Sequence, residues 1–376
     1  MKKFNLLQLL PALDSGGIEQ GTVDLANFVG ENHLGSFVVS NGGEMENQLN
    51  RKITEHIKLP THTKNFLYMP FVAKKLSKII YNNKIDIVHV RSRAPAWLLQ
   101  YVNKKKFKSV STFHNVYGTG NFLKKYYNKS LSKVDHIIAI SQYVKSQISN
   151  IYNINENHIN VIHRGLDTQY FNPNNNDESN LIKFLKMYEI PSDKKIILYP
   201  GRLTEWKGQI SFLKIIEYYK NEKIMFYFAG DDKNKSYYSK LLTGIKNNNL
   251  SHICKIVGNL SKENLKMMYL CSDLVISAPL KPEGFGRVIS ESLAMKKIIL
   301  SYDYGGAKEQ LKGLDNTFKI TPKDQKELKF KIDKALEFSE DYINNIGIKS
   351  REHIIENFSK QKMLENYLSF YNNILL

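Results

Sequence analysis

Short runs of β-branched and aliphatic residues alternate with amphipathic stretches along almost the whole chain. Strands that are apolar throughout predict parallel sheets covered by helices on both faces, because a face open to water would carry polar residues at every second position. The pattern runs twice in succession, which predicts an α/β protein with two Rossmann-like, doubly wound parallel-sheet domains. The predicted strands span residues 4–10, 36–40, 85–90, 109–113, 136–140, 160–162, 195–199, 223–229, 253–257, 274–277 and 298–301. The predicted helices include residues 17–32, 70–82 and 94–104, with one or two more between 350 and 376.

The length of the chain agrees with this repetition, because 376 residues with 42% hydrophobic content are enough for two separate cores. A polar, turn-rich segment at 167–180 separates the two halves, and Pro191 precedes the next predicted strand. We predict an N-terminal domain at 1–168, a linker at 169–190, a second domain at 191–350 and a terminal helical segment at 351–376.

The loops that follow the strands are the expected sites of chemistry, because doubly wound sheets bind ligands at the carboxyl ends of their strands, at the switch point. Two such sheets facing each other would enclose a central cleft with these loops in both walls.

In the second half, the sequence EGFGR follows the predicted strand at 274–277, and a helix is expected to begin near Arg287. Glu283 would lie in a glycine-rich loop at the N-terminus of that helix, where free backbone N–H groups can bind a ligand. Seven residues separate Glu283 from Glu291, which would lie more than one turn into the helix. One carboxylate could accept hydrogen bonds from sugar hydroxyls and the other from a ribose diol. The alternative is an acidic helix start behind a glycine turn.

A second loop, YPGRLTEWKG at 199–208, also follows a predicted strand directly. Arg202 can bind phosphate through two parallel hydrogen bonds and Lys207 can bind it as a point charge, so together they can hold a diphosphate. They would also stabilise the charge that develops on a departing nucleoside diphosphate. The alternative is a pair of solvated cations in a basic chain.

In the first half, Gly16 and Gly17 follow the first strand and open the first predicted helix. Two glycines there let a phosphate or sugar approach the backbone and the positive end of the helix, although a plain glycine turn would look the same. The sequence contains neither G-x-G-x-x-G nor a P-loop pattern, which disfavours a standard dinucleotide or kinase site.

Three more polar residues follow predicted strands of the first half. Arg91 follows the strand at 85–90, and His114 follows the strand at 109–113. Arg164 comes shortly after the strand at 160–162. A lone histidine is more often structural than catalytic, and His114 is a candidate because of its place at a strand end.

Taken together, these motifs resemble the retaining glycosyltransferase family 4 of the GT-B superfamily, or glycosyl transferases group 1. The matching segments are SGGIEQ, PGRLTEWKG, EGFGRVISES and YDYGGAKEQL, and the resemblance covers essentially the whole chain in the expected order. It implies the GT-B fold and the transfer of a sugar from a nucleotide-sugar donor, a UDP-, GDP- or ADP-sugar, to an acceptor with retention of configuration. It also implies that the C-terminal helix crosses back to the first domain.

The resemblance implies a role for each matching position. Arg202 and Lys207 would hold the donor diphosphate, Glu291 the ribose, and Glu283 with its loop the donor sugar. Gly16 and Gly17 would lie against the donor phosphates, and His114 near the transferred sugar. The residues expected to act in the reaction are Glu283, His114, Arg202 and Lys207. Those expected to bind substrate are Gly16, Gly17, Arg202, Lys207, Glu283, Gly284, Phe285, Gly286, Glu291 and Arg164.

The family's retention is most simply explained by same-face attack, in which the departing phosphate oxygen takes the proton of the acceptor and Glu283 positions and stabilises without acting as a nucleophile. One motif departs from the commonest pattern: many members carry Pro-Asn-Gly before the residue at Asp167, where this chain has HRGL. This variant, together with VRSRAPAW, resembles a subgroup associated with lipopolysaccharide-type glycans, which implies an acceptor in the cell envelope.

The formal net charge of +18 would suit binding to nucleic acid or to an anionic membrane surface. The alternative is that the many lysines only reflect the base composition of the genome. No nucleic-acid signature occurs, so no nucleic-acid partner is expected. Two basic-aromatic stretches at 64–78 and 121–133 have the composition of interfacial helices, although ordinary surface helices would look alike. With two cysteines and no run of about 20 apolar residues, we expect a cytoplasmic protein in peripheral contact with the inner face of the plasma membrane.

No D-x-D motif and no metal-ligand spacing occurs, so neither a metal nor a cofactor is expected, and Arg202 and Lys207 would supply the positive charge. Other nucleotide-sugar enzymes of this architecture, such as epimerases or phosphorylases, are disfavoured by the EGFGR loop or by the missing cofactor-lysine context. A non-catalytic nucleotide-sugar or glycan-binding protein with the same fold is the alternative from a different class.

Overall fold

Strands and helices alternate through the parts of the chain that the structure, a computed structural model, describes: residues 3–118, 120–175 and 177–376. The strands in these ranges are β1 Asn5–Leu9, β2 Gly35–Ser40, β3 Glu55–Lys58, β4 Ile87–Val90, β5 Lys108–Phe113, β6 His136–Ala139, β7 Ile159–Val161, β8 Lys195–Pro200, β9 Ile224–Ala229, β10 Cys254–Gly258, β11 Leu274–Ser277, β12 Ile298–Tyr302 and β13 Lys319–Ile320. The α-helices are α1 Gly17–Glu31, α2 Met69–Asn82, α3 Arg93–Leu99, α4 Phe122–Asn128, α5 Gln142–Tyr152, α6 Glu178–Met187, α7 Gln209–Ile216, α8 Lys235–Asn247, α9 Lys262–Cys271, α10 Arg287–Ala294, α11 Gly306–Gln310, α12 Gln325–Leu336, α13 Glu340–Phe358 and α14 Lys360–Ile374.

Contacts divide the chain into two compact units. Unit 1 combines Met1–Gly165 with Gln361–Leu376, and unit 2 is Leu166–Lys360. The segment predicted as a linker, 169–190, contains helix α6 and belongs to unit 2. Asn176, within that segment, lies outside the described residues, as do Met1 and Lys2 of the predicted N-terminal domain.

In unit 1 the described strands form one seven-stranded parallel sheet in the order β3-β2-β1-β4-β5-β6-β7. The order reverses between β1 and β4, which pair directly through Leu6–Ile87 and the residues that follow. β1 and β4 are almost fully buried, which is why their sequences are mostly apolar and lack the two-residue alternation of a half-exposed strand.

Helix α14 completes the core of unit 1. Its aromatic and aliphatic side chains pack in one cluster with Phe4, Leu6 and Val110. Tyr371 is fully buried and its hydroxyl lies 2.6 Å from Nδ1 of His89 on β4. The last helix is therefore part of the first fold unit, because its burial completes that unit's hydrophobic cluster.

Unit 2 contains, among its described residues, a six-stranded parallel sheet in the order β10-β9-β8-β11-β12-β13. Its order reverses between β8 and β11, the arrangement of a Rossmann-like sheet. Arg351 on α13 donates to the carbonyl oxygens of Phe171 at 2.7 Å and Ala294 at 2.6 Å, and so joins three segments of the unit. The prediction of two Rossmann-like parallel-sheet domains is confirmed.

Two strands were not predicted. β3 reads EHIK and lies at the edge of its sheet with exposed ends, so charged residues hide its strand character. β13 is two residues long, too short for any periodicity.

One predicted helix was too long. The prediction at 94–104 continued past Leu99, where α3 ends. The side chain of Asn103 instead caps a separate short turn, Lys104–Lys106, and interrupts the helix. Within the described ranges, no helix is both long and apolar enough to cross a bilayer.

Candidate active site

The loop after β8 in unit 2 is shaped by a short turn that ends at Gly208. Gly208 has φ +84, and a Cβ there would lie 2.7 Å from the carbonyl oxygen of Ala278, so only glycine fits. The hydroxyl of Tyr199 donates to the carbonyl of Lys207 at 2.6 Å, and the amide of Leu280 donates to the carbonyl of Trp206 at 2.6 Å. These bonds fix the loop after β8 against the loop after β11.

Lys207 and Glu283 form an ion pair across the switch point of unit 2. Nζ of Lys207 lies 2.5 Å from Oε1 of Glu283, and the two side chains are only 10% and 17% exposed. Trp206 lies between two cations, with its ring centroid 4.8 Å from Nζ of Lys207 and 5.9 Å from Cζ of Arg202. The structure thus brings together Arg202, Lys207 and Glu283, with Arg202 exposed to solvent.

The glycine-rich loop reaches helix α10 through Gly286, whose φ of +85 at the N-cap is a left-handed conformation that favours glycine. The amide of Gly306 donates to the carbonyl of Glu283 at 2.9 Å, and Nε2 of Gln310 donates to the carbonyl of Phe285 at 2.5 Å. Phe285 is buried, and Gly284 beside it is buried as well. The YDYGGAKEQL segment therefore fixes the backbone of the EGFG loop through hydrogen bonds from Gly306 and Gln310.

Glu291 is buried on α10, 3% exposed, and its carboxylate is engaged within unit 2. Nε and Nη2 of Arg287 donate to Oε1 at 3.1 and 2.9 Å, and the hydroxyl of Tyr269 donates to Oε2 at 3.0 Å. The negative charge of Glu291 raises the pKa of Arg287, while burial and then Glu291 raise the pKa of Tyr269 well above its usual value. The carboxylate is held in one orientation before any ligand binds.

In unit 1, Gly16 and Gly17 lie where α1 begins. Nη2 of Arg164 donates to the carbonyl oxygen of Gly17, and a Cβ on Gly17 would overlap the Arg164 guanidinium. The structure therefore brings Arg164 to the start of α1, although nearly 150 residues separate the two positions in sequence.

His114 follows β5, and both of its ring nitrogens are buried without a hydrogen-bond partner. Burial, followed by the positive charges of Arg91 and Arg164, holds the pKa of His114 well below its usual value. The imidazole is therefore neutral at neutral pH. Gly17, Arg164 and His114 thus occupy one region at the strand ends of unit 1.

Sequence reasoning missed several supporting residues. Arg287 stands four residues before Glu291, a spacing that signals a helical ion pair. Trp206 and Gln310 lie inside motifs that were recognised, but nothing in the sequence assigns them these contacts. Tyr269 carries no sequence signal, because only the packing of α9 brings its hydroxyl to Glu291. No group of three or more potential metal ligands was found among the described residues.

Comparison with known proteins places these residues in a family. Residues 15–170 match the model of Glycosyltransferase Family 4, and residues 182–361 match that of Glycosyl transferases group 1. A glycosyltransferase from Rickettsia africae ESF-5 is 34% identical with a TM-score of 0.89, covering 100% of this chain and 99% of that one.

Two further relatives are more distant. An uncharacterized glycosyltransferase from Methanocaldococcus jannaschii is 24% identical over 83% of this chain and 82% of its own length. The crystal structure of HepE from Anabaena in complex with UDP has a TM-score of 0.80 at 17% identity, covering 98% of this chain and 100% of that one. The chain is a glycosyltransferase of group 1, with the GT-B fold.

Proposed function

We propose that this glycosyltransferase moves a sugar from a nucleoside diphosphate sugar to a glycan or lipid-linked acceptor with retention of configuration and without a metal ion. The observation that carries the proposal is the Lys207–Glu283 pair beside Arg202 at the switch point of unit 2. It combines two cations for a diphosphate with a carboxylate for sugar hydroxyls, at the position where doubly wound sheets bind ligands.

Lys207 can serve both partners at once, because its ammonium group carries three hydrogens and one hydrogen bond goes to Glu283. The remaining hydrogens can stabilise the charge that develops on the β-phosphate as the bond between the sugar C1 and the phosphate oxygen breaks. Arg202, exposed beside Trp206, can add a bidentate contact to the same phosphates.

On the proposed course, the acceptor hydroxyl attacks C1 from the face that the diphosphate leaves, and the departing phosphate oxygen takes its proton. Glu283 orients the sugar and is not a nucleophile, because its carboxylate is already paired with Lys207. Glu291 binds the ribose diol with the lone pairs that Arg287 and Tyr269 leave free. The neutral imidazole of His114, in unit 1, is a further group that we expect to act in the reaction.

Titration of the full chain with UDP, GDP and ADP in the presence of EDTA tests the donor assignment. UDP is the first choice, since the HepE structure contains it. We expect one nucleotide to bind without metal and Arg202→Gln to weaken it, while Lys255→Gln, which removes a surface partner of Glu189, leaves binding unchanged. Binding of no nucleotide would overturn the assignment. Failure of a bound donor to be transferred or hydrolysed would favour the non-catalytic alternative.

The configuration of the product tests retention separately. The anomeric coupling constant in the NMR spectrum of the first product formed from an α-linked donor should be that of an α-glycoside. An inverted product, or a reaction abolished by EDTA and restored by Mg²⁺, would contradict the proposal.

An exposed patch in unit 1, the apolar patch, supports an acceptor at a membrane of the cell envelope, as in lipopolysaccharide synthesis. Its members belong to the two basic-aromatic stretches and are Phe66, Leu67, Phe71, Phe122, Leu123 and Tyr126. Leu67 is 92% exposed and Phe122 79%. Trp97 joins the stretches, because its ring lies 5.5 Å from that of Phe66 and 5.4 Å from that of Tyr126.

Lysines beside the apolar patch suit an anionic bilayer, and Nζ of Lys133 lies over the rings of both Trp97 and Tyr126. Sedimentation with vesicles tests the contact. We expect binding to vesicles with anionic lipid that weakens with salt and is lost in Leu67→Asp with Phe122→Asp. Equal binding to neutral vesicles, or no binding at low salt, would contradict peripheral contact at the inner face of the membrane.

A further inference from the structure

We propose that Arg91, with Arg164 beside it, binds an oxyanion of the acceptor, a phosphate or a carboxylate, at the switch point of unit 1. The inference rests on the proposed function, since it names a chemical property of the second substrate of that reaction.

Arg91 is a cation buried at the end of β4. Its side chain is 2% exposed, and both Nε and Nη1 are buried with no hydrogen-bond partner. No carboxylate among the described residues lies within 4.0 Å of its guanidinium. The ring of Tyr367 lies close to Arg91, with its centroid 5.5 Å from Cζ. An arginine fork with two unused donors matches the geometry of a phosphate or carboxylate.

The surroundings of Arg91 strengthen the positive potential. A Cβ on Gly21, in the second turn of α1, would lie 3.2 Å from Nη2 of Arg91, and Arg164 contacts Gly17 in the first turn. Both guanidinium groups therefore lie against the first two turns of α1, whose N-terminus is itself positive. Burial, followed by the charges of Arg91 and Arg164, lowers the pKa of His114, whose buried ring nitrogens have no hydrogen-bond partner.

The position in the fold also indicates a ligand. Arg91 directly follows β4, and the amide of Arg91 donates to the carbonyl of Leu9 at the end of β1. The strand order reverses between these two strands, and doubly wound sheets bind their ligands at this point. Since Arg202 and Lys207 in unit 2 already account for the donor diphosphate, the oxyanion at Arg91 is assigned to the acceptor.

The test titrates the full chain with inorganic phosphate, and in a second series with acetate, at constant ionic strength and with UDP saturating. UDP occupies the cations of unit 2, so the remaining affinity reports on unit 1. We expect at least one of the two anions to bind and Arg91→Met to weaken it by about tenfold or more. Arg51→Met, which removes a surface cation paired with Glu46, should leave the affinity unchanged.

Three results would overturn the proposal. Anion affinity that is equal in wild type and Arg91→Met would exclude the site. Displacement of the anion from Arg91 by UDP would assign the cluster to the donor diphosphate. A lower midpoint of thermal unfolding for unliganded Arg91→Met would identify Arg91 as a structural residue, because an unpaired buried charge should not stabilise the free protein. If neither UDP, GDP nor ADP binds, the proposed function fails, while the phosphate series still tests the oxyanion site.

Discussion

The two units share one sheet topology and both place cations at the switch point, but they neutralise those cations differently. In unit 2, Lys207 pairs with Glu283 and Arg287 pairs with Glu291. In unit 1, Arg91 is buried, and among the described residues no carboxylate lies within 4.0 Å of its guanidinium. Unit 2 is thus organised before its ligand arrives, and on our proposal the charge balance of unit 1 is completed by a bound anion.

The largest expected effect is on catalysis in unit 2. Lys207→Met should lower kcat by about 10²- to 10³-fold, because it removes a preorganised positive charge from the developing diphosphate. Steady-state transfer with the identified donor measures the effect. Lys255→Met, the matched loss of a surface ion pair with Glu189, should retain wild-type kcat. A kcat within threefold of wild type for Lys207→Met would remove Lys207 from the mechanism.

The comparison is most directly tested by removing one arginine from each unit. Arg287→Met should lower the free energy of unfolding by about 2 kcal/mol, because it leaves the carboxylate of Glu291 buried without its cation. The loss should be smaller than for a fully buried ion pair, because the Arg287 side chain is half exposed. Arg91→Met should raise the free energy of unfolding by up to about 1 kcal/mol, with the lost contact to Tyr367 offsetting part of the gain. Urea unfolding measures both values, and changes of the same sign would refute the comparison.

Acidification should affect unit 1 through His114. Its folded pKa lies well below the usual 6.5, so the unfolded state binds more protons as the pH falls below about 6.5, and stability declines by up to about 1.4 kcal/mol per pH unit. His114→Gln should flatten this decline between pH 7 and pH 5. Arg91→Met should flatten it in part, since the charge of Arg91 is the second cause of the shift. Thermal midpoints across this range measure the slopes, and identical slopes in all three proteins would contradict the prediction.

The smallest effect is expected on the surface of unit 1. Leu67→Ser should change the free energy of unfolding by less than about 0.5 kcal/mol, because the side chain is 92% exposed. Leu76→Ala, in the buried face of α2, should cost about 2–5 kcal/mol and serves as the contrast. Urea unfolding compares them. A large loss for Leu67→Ser would mean that the apolar patch is needed for folding.

Much of the fold was readable from the sequence, because buried parallel strands such as β4 and β11 are apolar at three of their four positions and lack the alternation of a half-exposed strand. The loops of the candidate site were found because glycine-containing motifs follow β8 and β11, and Gly208 and Gly286 in these loops have left-handed conformations that favour glycine. Contacts between distant segments were not readable. The Lys207–Glu283 pair joins residues 76 apart in sequence. No sequence pattern shows that Arg91 is buried away from the described carboxylates, because that depends on how distant segments pack.

The return of the chain to unit 1 has a consequence for synthesis on the ribosome. Leu166 bridges to Ser359, so the polypeptide enters and leaves unit 2 at adjacent points. Unit 2 can complete its sheet while the first 165 residues still lack α14, which supplies Tyr367 and Tyr371 to their core. We therefore expect the half translated first to mature last, exposed to chaperones and proteases until residues 361–376 emerge. A nonsense mutation near codon 360 would then damage the N-terminal half more than the half it interrupts.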